Sequence, residues 1–187
     1  ESFEEFSTTS RSWRTTGSNP RSGNRLTIHD ASADYHSLKH DFAEAFLQAG
    51  LNCPDDLCLE GEGVGPYLIT TRTGKRCSSA TAFLHPASGR SNLEILTNTT
   101  VTKVDIETGT AIGVTGLSGN QFIEIRARKE VLLCAGAVNS PQLLQLSGIG
   151  PGELLQAHGV QLVLEHPHVG RHLQDHLGIS YFYRANR

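Results

Sequence analysis

Four histidines near the C-terminal end are the residues whose types and spacing could most directly do chemistry. His166, His168, His172 and His176 fall within eleven positions, and imidazole nitrogens are common ligands of zinc and nickel. On a helix, the last two would share one face. However, no carboxylate completes a His-Glu-x-x-His motif, and a proline and a glycine within the cluster interrupt any long helix. We therefore assign no metal ligand, and we expect Asp175 and His176 to fix a turn through hydrogen bonds from side chain to main chain.

The four cysteines, Cys53, Cys58, Cys77 and Cys134, offer a second kind of chemistry. The first two are separated by Pro-Asp-Asp-Leu, a wider gap than most zinc knuckles have, and no second pair follows. A structural zinc is therefore disfavoured, whereas a local disulfide between them stays open. Cys134 lies in an apolar run, where we expect it to be a small buried filler. This cysteine usage does not indicate a compartment.

A strand, a glycine turn and a helix are predicted around Gly136. The apolar run Val131 to Ala135 is typical of a strand buried on both faces of a parallel sheet. After Gly136, either Asn139 or Ser140 can cap a helix, with Pro141 at its first position. The helix should end near Gly148. Such a unit presents free N–H groups and a positive dipole end to an anionic ligand, a phosphate above all.

Further elements follow from periodicity and from glycine and proline positions. An apolar stripe predicts a helix from about Ser32 to Ala49, closed by Gly50. The remaining predicted elements are a short strand at 67–71, a turn at Gly74, a short helix from Ser78 or Ser79 to Pro86, short strands between 93 and 125 whose last two form a hairpin, a helix from Pro151 to Gly159 with Leu154 and Leu155 inward, and strands at 160–164 and 179–183.

Composition sets limits on the class of protein. The 187 residues suffice for one domain with a sizeable core, or for one and a half small ones. The net charge of −3, without any block of like charges, gives no case for nucleic acid or an anionic membrane surface as partner. No apolar run is long enough to span a bilayer, and the first residues are not a secretory signal. Because methionine is absent even at position 1, we expect a piece of a longer open reading frame.

Three blocks of the sequence resemble the glucose-methanol-choline (GMC) flavin oxidoreductases, and most of all their choline dehydrogenase-like branch. The most specific block is Gly136-Ala-Val-Asn-Ser-Pro-Gln-Leu-Leu-Gln-Leu-Ser-Gly-Ile-Gly150. A second is Thr73-Gly-Lys-Arg-Cys-Ser-Ser-Ala-Thr-Ala-Phe-Leu-His-Pro86, and a third is Glu165-His-Pro-His-Val-Gly-Arg-His-Leu-Gln-Asp-His-Leu177. In the third block His172 stands where the family has Asn, which puts in doubt any hydrogen bond that this Asn makes. The resemblance spans about Leu26 to Tyr183.

The resemblance implies an α/β fold, in part α+β, with an incomplete FAD-binding doubly wound domain and portions of an antiparallel-sheet substrate domain. Residues 1–72 would belong to the substrate domain and a connecting arm, residues 73–176 to the FAD-binding domain, and residues 177–187 to the start of the substrate-domain sheet. The cofactor would be FAD. The adenine edge would be held by the main chain of Val101, although a plain core valine stays open there, and the cofactor would also meet Cys134, Ala135 and Gly136.

The implied activity is hydride transfer from the CH–OH group of a small alcohol to FAD, as an alcohol oxidase or dehydrogenase. The Gly-x-Gly-x-x-Gly turn that seats the pyrophosphate belongs at the N-terminal end of the family, and the catalytic His belongs near its C-terminal end. Neither matches a position here, so no catalytic residue is assigned, and the N- and C-terminal parts of the same polypeptide are expected partners. We expect the chain alone to be inactive. A hydroxynitrile lyase of the same fold and a non-enzymatic α/β binding module are the alternatives.

Overall fold

The computed structural model describes residues 14–16, 26–30, 36–54, 62–65, 68–182 and 184. The chain forms two compact units, residues 1–94 and 95–187. The assignment of residues 1–72, 73–176 and 177–187 to domains of a larger enzyme is a different division, and it stays a prediction. In the part of the chain that the structure describes, no helix combines the length and the apolar character that crossing a membrane requires.

In its described residues, the first unit contains two small sheets and two helices. Strands β1 (Arg14–Thr16) and β2 (Leu26–Asp30) pair in parallel, and β2 pairs antiparallel with β3 (Leu68–Ile69). Strands β4 (Thr71–Arg72) and β5 (Lys75–Arg76) form a hairpin around Thr73 and Gly74, which both have positive φ, as a two-residue type I′ loop requires. The turn predicted at Gly74 is therefore confirmed. Among the described residues of this unit, Thr27, Ile28, Cys77 and Ala82 are buried.

Helix α1 (Leu38–Gln48) agrees with the predicted helix where the two overlap, and residues 31–35 lie outside the described residues. It ends where the sequence predicts. Gly50 has φ +88° and donates its N–H to the Leu47 carbonyl at 3.0 Å, while Leu51 donates to the Phe46 carbonyl at 3.1 Å. These two bonds form a Schellman motif, which satisfies carbonyl groups that a helix end otherwise leaves unpaired.

Helix α2 spans residues 80–87, as a π-helical segment (Ala80–Leu84) followed by one α-helical turn (His85–Ala87). Ser78 lies just before its start, as predicted, and its Oγ accepts the Thr81 N–H at 3.3 Å. Pro86 lies within the final turn, so the prediction that it ends the helix was wrong by one residue.

An antiparallel meander organises the second unit. Strand β6 (Thr99–Glu107) pairs with β7 (Thr110–Ser118), which pairs with β8 (Gln121–Arg126). Gly109 and Gly119 lie in the two-residue loops with positive φ, which confirms the predicted hairpin and the strand on its N-terminal side. The strand predicted at Leu93 and Ile95 is absent, because residues 93–97 form no ladder.

Helix α3 (Gly136–Leu146) confirms the predicted helix, but the strand predicted before it was wrong. Residues 131–134 have no secondary structure, and Leu132 is 74% exposed. A strand of a parallel sheet forms only by hydrogen bonding to a neighbouring strand. None of the described strands pairs with residues 131–134. The helix also begins earlier than predicted, so Pro141 lies inside it and not at its first position.

The chain after α3 folds back on the end of that helix. Strand β9 (Ile149–Gly150) pairs in parallel with β10 (Leu164–Glu165), and helix α4 (Gly152–Ala157) lies between them in sequence. Leu155 is buried as predicted, whereas Leu154 is exposed. Of the strand predicted over 160–164, only Leu164 lies in a strand, as the first residue of β10. Residues 171–182 carry no secondary structure, so the described part of the strand predicted at 179–183 does not form.

Candidate functional site

The free edge of strand β6 faces helix α3. In the described sheet β6 is an edge strand, because the strand order is β6-β7-β8. Its Val104 N–H donates to Ser147 Oγ at 2.8 Å, and this hydroxyl donates in turn to the Leu143 carbonyl at 2.6 Å. Ser147 and Val104 are both buried. One side chain at the C-terminal end of α3 therefore fixes the helix against the strand edge.

A bulge at Thr102 controls which main-chain groups of β6 face that edge. Val101 is opposite Gly116 and Lys103 is opposite Thr115, so Thr102 has no partner of its own in the ladder. In a regular antiparallel pair, every second residue turns its N–H and C=O away from the partner strand. The extra residue shifts this alternation. Consequently Val101, three positions from Val104, also turns its main-chain groups outward on the α3 side of the strand.

The exposure of the Val101 side chain bears on the alternative that it is a plain core valine. Its side chain is 37% exposed, so it is not an interior residue of this unit. The core-valine alternative therefore receives no support from its burial. Sequence reasoning chose Val101 through the family resemblance alone and missed the bulge, which leaves no recognisable pattern in the residues 99–107.

Cys134, Ala135 and Gly136 lie at the N-terminal end of α3. All three are exposed. The expectation that Cys134 is a buried filler was wrong, since the run that contains it has no ladder partners. Ala135 is the residue before the helix, and its N–H donates to Ser140 Oγ at 3.0 Å. Gly136 has φ +87°, a conformation that side chains disfavour, and a Cβ placed on it would meet no atom within 4 Å.

This end of α3 suits an anionic group. The first N–H groups of a helix lack partners within the helix and carry the positive end of its dipole. Here the first four residues of the helix are exposed, and no acidic residue lies in the first turn. Open space beside Gly136 leaves room for close approach. The donors available, helix N–H groups and strand-edge main-chain groups, fit the phosphate and adenine parts of a dinucleotide.

The two parts of the candidate site are joined by direct packing. Helix α3 packs on β6, and Ser147 marks where they meet. The 11 residues of α3 span about 16 Å, which separates the Ser147 end from the Gly136 end. The structure therefore holds the two predicted ligand segments on neighbouring elements of one unit.

The third sequence block forms a turn that is fixed to α3. Gln145 donates its Nε2–H to the Val169 carbonyl at 3.0 Å, and His166 donates its N–H to the Gly150 carbonyl at 3.0 Å. Further along, Asp175 Oδ1 accepts the His176 N–H at 2.8 Å. This is the kind of hydrogen bond predicted for Asp175.

At His172, where the sequence departs from the family pattern, the backbone adopts a conformation that favours Asn. His172 has φ +58°, in the left-handed region that Asn enters more readily than most residues. The family's Asn therefore matches what the backbone requires at this position. In this chain a histidine adopts the same conformation.

The histidines and cysteines form no metal centre of three or more ligands in the described ranges. His168 and His172 do come together, with ring centroids 5.5 Å apart. Cys53 and Cys134 are exposed free thiols and Cys77 is a buried one. Cys58 lies outside the described residues, and because Cys53 is a free thiol, the local disulfide between the two is not formed in this structure.

The first unit contains an open groove of about 550 Å³ along α2, lined among others by Phe83, Leu84 and Leu93, with Arg90 and Asn92. A second, more polar hollow of about 310 Å³ lies on the meander, lined in part by Lys103, Asp105 and Arg126. Neither hollow contains Val101 or the residues 134–136.

The fold is that of a mixed α/β protein, and comparison with known proteins agrees. The chain belongs to the GMC oxidoreductase family, whose model matches residues 4–178. It is 42% identical over 164 residues to an alcohol dehydrogenase [acceptor] of Pseudomonas putida, covering 86% of this chain. It is 45% identical over 143 residues to an oxygen-dependent choline dehydrogenase of Brucella ovis, covering 76% of this chain. These matches confirm the resemblance inferred from the three blocks.

Among solved structures, pyridoxine 4-oxidase from Mesorbium loti is similar with a TM-score of 0.79 and 30% identity over 88% of this chain. This similarity confirms the α/β fold class. The chain spans 30% of the length of the Pseudomonas putida relative, 26% of the Brucella ovis relative and 33% of the pyridoxine 4-oxidase chain.

Proposed function

We propose that the complete polypeptide containing this chain is an FAD-dependent oxidoreductase that acts on the CH–OH group of a small alcohol. FAD, when bound, would supply the acceptor for a hydride from the alcohol carbon. The observation that carries this proposal is the family match over residues 4–178 together with relatives described as alcohol and choline dehydrogenases. In this proposal the chain supplies groups that bind the cofactor, and it supplies no catalytic residue.

The proposed binding groups are the two segments that meet α3 and β6. The outward main-chain groups of Val101 bind the adenine edge. Cys134, Ala135 and Gly136 lie against the nucleotide half of the cofactor, where the exposed first N–H groups of α3 attract its phosphates. The bulge at Thr102 and the positive φ of Gly136 support these roles, since each gives the main chain the orientation or space that such a contact needs.

In the complete enzyme, residues 73–176 are proposed to belong to the FAD-binding domain, and residues 1–72 and 177–187 to the substrate domain. Exposed apolar side chains among the described residues are consistent with a chain that further polypeptide covers in the complete enzyme. Leu132 is 74% exposed, and Leu177 is 98% exposed. Isolated proteins rarely leave such side chains in contiguous patches.

The 187-residue chain by itself is proposed to neither hold FAD tightly nor turn over. Its sequence contains no Gly-x-Gly-x-x-Gly turn, which supplies much of the pyrophosphate binding in such folds. Mixing the purified chain with FAD and a panel of alcohols should give a colourless protein after gel filtration. A stoichiometric yellow protein that bleaches with an alcohol would contradict this part of the proposal.

The binding proposal is tested in the complete protein with two glycine variants. Gly136→Ala and Gly159→Ala both place an alanine at positive φ in otherwise open space, at +87° and +70°. Backbone strain is therefore similar in both. Flavin content, measured as absorbance near 450 nm per protein, should fall in Gly136→Ala and stay unchanged in Gly159→Ala. An equal flavin content in both variants would remove Gly136 from the site.

The reaction is tested by anaerobic mixing of the complete flavoprotein with alcohols. Bleaching of the flavin by an alcohol, with formation of the aldehyde or ketone, supports oxidation. A hydroxynitrile lyase of the same fold would instead release cyanide from a cyanohydrin while its flavin stays oxidised. The substrate panel should include choline and simple primary alcohols, which are the classes that the relatives' names suggest.

A further inference from the structure

His168 and His172 bring two ring nitrogens into an arrangement that a hydrogen-bonded turn holds in place. Nε2 of His172 lies 3.4 Å from Nδ1 of His168, and the two rings are tilted by 41°. Both side chains are exposed, so solvent and dissolved ions reach them. Sequence reasoning considered His172 with His176 on a helix, but the structure pairs His172 with His168 across a turn instead.

The separation of the two nitrogens matches that of two ligands on one metal ion. With Zn–N bonds of about 2.0–2.1 Å at a tetrahedral angle, two imidazole nitrogens stand about 3.3 Å apart. We infer that His168 Nδ1 and His172 Nε2 form a bidentate site for a divalent transition metal ion of the zinc, nickel and copper group. The other ring nitrogens, His168 Nε2 and His172 Nδ1, keep their protons when the ion is bound.

The turn is built before any ion arrives. Arg171 donates its N–H to the His168 carbonyl at 3.0 Å, and Val169 donates to the His166 carbonyl at 3.3 Å. Gln145 on α3 donates to the Val169 carbonyl. Because the backbone at 168–172 is already fixed, binding does not have to order it, and ordering is a major cost for a site of few ligands.

The site has two protein ligands, and water completes the coordination. His166 has its ring centroid 6.3 Å from that of His168, and the described residues contain no third His, Cys, Asp or Glu that completes a centre. Arg171 lies between the two ligands in sequence and opposes a cation. We therefore expect modest affinity, with copper bound most tightly, following the general order for nitrogen ligands. Magnesium and calcium, which prefer oxygen ligands, should not bind.

The test is a titration of the untagged 187-residue chain with Cu²⁺, Zn²⁺ and Ni²⁺ in a buffer that does not chelate metals. Calorimetry should show one site, and the electron paramagnetic resonance spectrum of the copper complex should show coupling to two nitrogens. His168→Ala and His172→Asn should each weaken binding by at least tenfold, since even a lost supporting contact around a metal costs about 10- to 100-fold in affinity. Far-UV circular dichroism checks that both variants keep the fold.

His176→Ala and His158→Ala are the matched controls, because each removes an exposed histidine outside the pair. Both should bind as the parent chain does. Equal binding by the parent chain and by both pair variants would show that the ion sits elsewhere and would overturn the inference. Absence of binding below millimolar ion concentration would overturn it as well, and would leave the 3.4 Å contact as a hydrogen bond between two neutral rings.

Discussion

The Ser147 hydroxyl is buried and uses both of its hydrogen-bonding functions, donating to the Leu143 carbonyl and accepting from the Val104 N–H. The sequence does not indicate this role, because a serine near a helix end is typical of a local capping residue. The contact with Val104 spans 43 positions, and a single side chain bonded to distant main chain leaves no periodic pattern. Val101, in contrast, could be named from the family resemblance although its residue type carries no chemical information.

Replacing Ser147 by alanine should destabilise the chain by about 1–3 kcal/mol, because the buried Val104 N–H loses its acceptor. The midpoint of urea unfolding measures this loss. Ser88→Ala serves as the control, since Ser88 also donates to a main-chain carbonyl, that of His85 at 2.8 Å, but is exposed. Its change should stay within about 0.5 kcal/mol. Equal effects of the two substitutions would show that Ser147 does not join α3 to β6.

His172→Asn should stabilise the chain in buffer that contains a chelator, by a few tenths to about 1 kcal/mol, because Asn tolerates the left-handed backbone better. The free energy of unfolding in urea checks this. His172→Ala removes the same ring but keeps the disfavoured conformation, so it should not be stabilised. A gain in both variants would indicate that the ring itself is unfavourable, and not the backbone at φ +58°.

At the scale of elements, the sequence correctly predicted the helix ends and tight loops, which depend on residues that are close together in the chain. The ends of α1, α3 and α4 at Gly50, Gly148 and Gly159, and the two-residue loops of the meander, follow from glycines with positive φ. The strand predicted at 131–135 was wrong, and the described part of the strand predicted at 179–183 does not form. A strand needs a partner for its N–H and C=O groups, and apolar residues alone do not supply one within the described residues.

Gly148 and Gly159 both end a helix with positive φ, but their surroundings differ. A Cβ on Gly159 would meet nothing, whereas a Cβ on Gly148 would lie 2.7 Å from Val163 Cγ2 and 2.5 Å from the Gln161 carbonyl oxygen. Gly159→Ala should therefore cost about 1 kcal/mol, from backbone strain alone. Gly148→Ala should cost roughly 1–3 kcal/mol more through overpacking. Thermal unfolding of both variants compares them, and equal losses would contradict the close packing at Gly148.

Replacing Val101 by proline tests its outward N–H as an element of the cofactor site. Because this N–H faces away from β7, its loss removes no hydrogen bond of the ladder, but it removes the main-chain donor proposed for the adenine edge. In the complete protein, flavin content should fall strongly while the circular dichroism spectrum keeps its β signal. Val101→Ala keeps the main chain and should keep the flavin. Normal flavin content in the proline variant would show that the N–H of Val101 is not needed.

At the scale of the whole molecule, the described chain leaves large apolar side chains in solvent. Tyr181 is 71% exposed, Leu177 98% and Phe182 93%, and they belong to the segment 171–182, which has no secondary structure. The family relatives are about three times longer than this chain. The resemblance carried by the three sequence blocks predicted both the fold class and the family. It could not predict which apolar residues stay uncovered, because burial depends on polypeptide that the sequence does not contain.

The isolated chain should therefore associate through this segment. Burial of apolar surface yields about 25 cal/mol per Å², so several exposed side chains of this size favour self-association at micromolar concentration. The double variant Leu177→Ser, Phe182→Ser should remain monomeric at concentrations where the parent chain forms larger species in light scattering. It should unfold at the same urea concentration, because neither side chain is buried. The matched control is Leu155→Ser, whose side chain is 3% exposed and whose loss should lower stability and increase association. Unchanged association in the double variant would show that a different surface drives it.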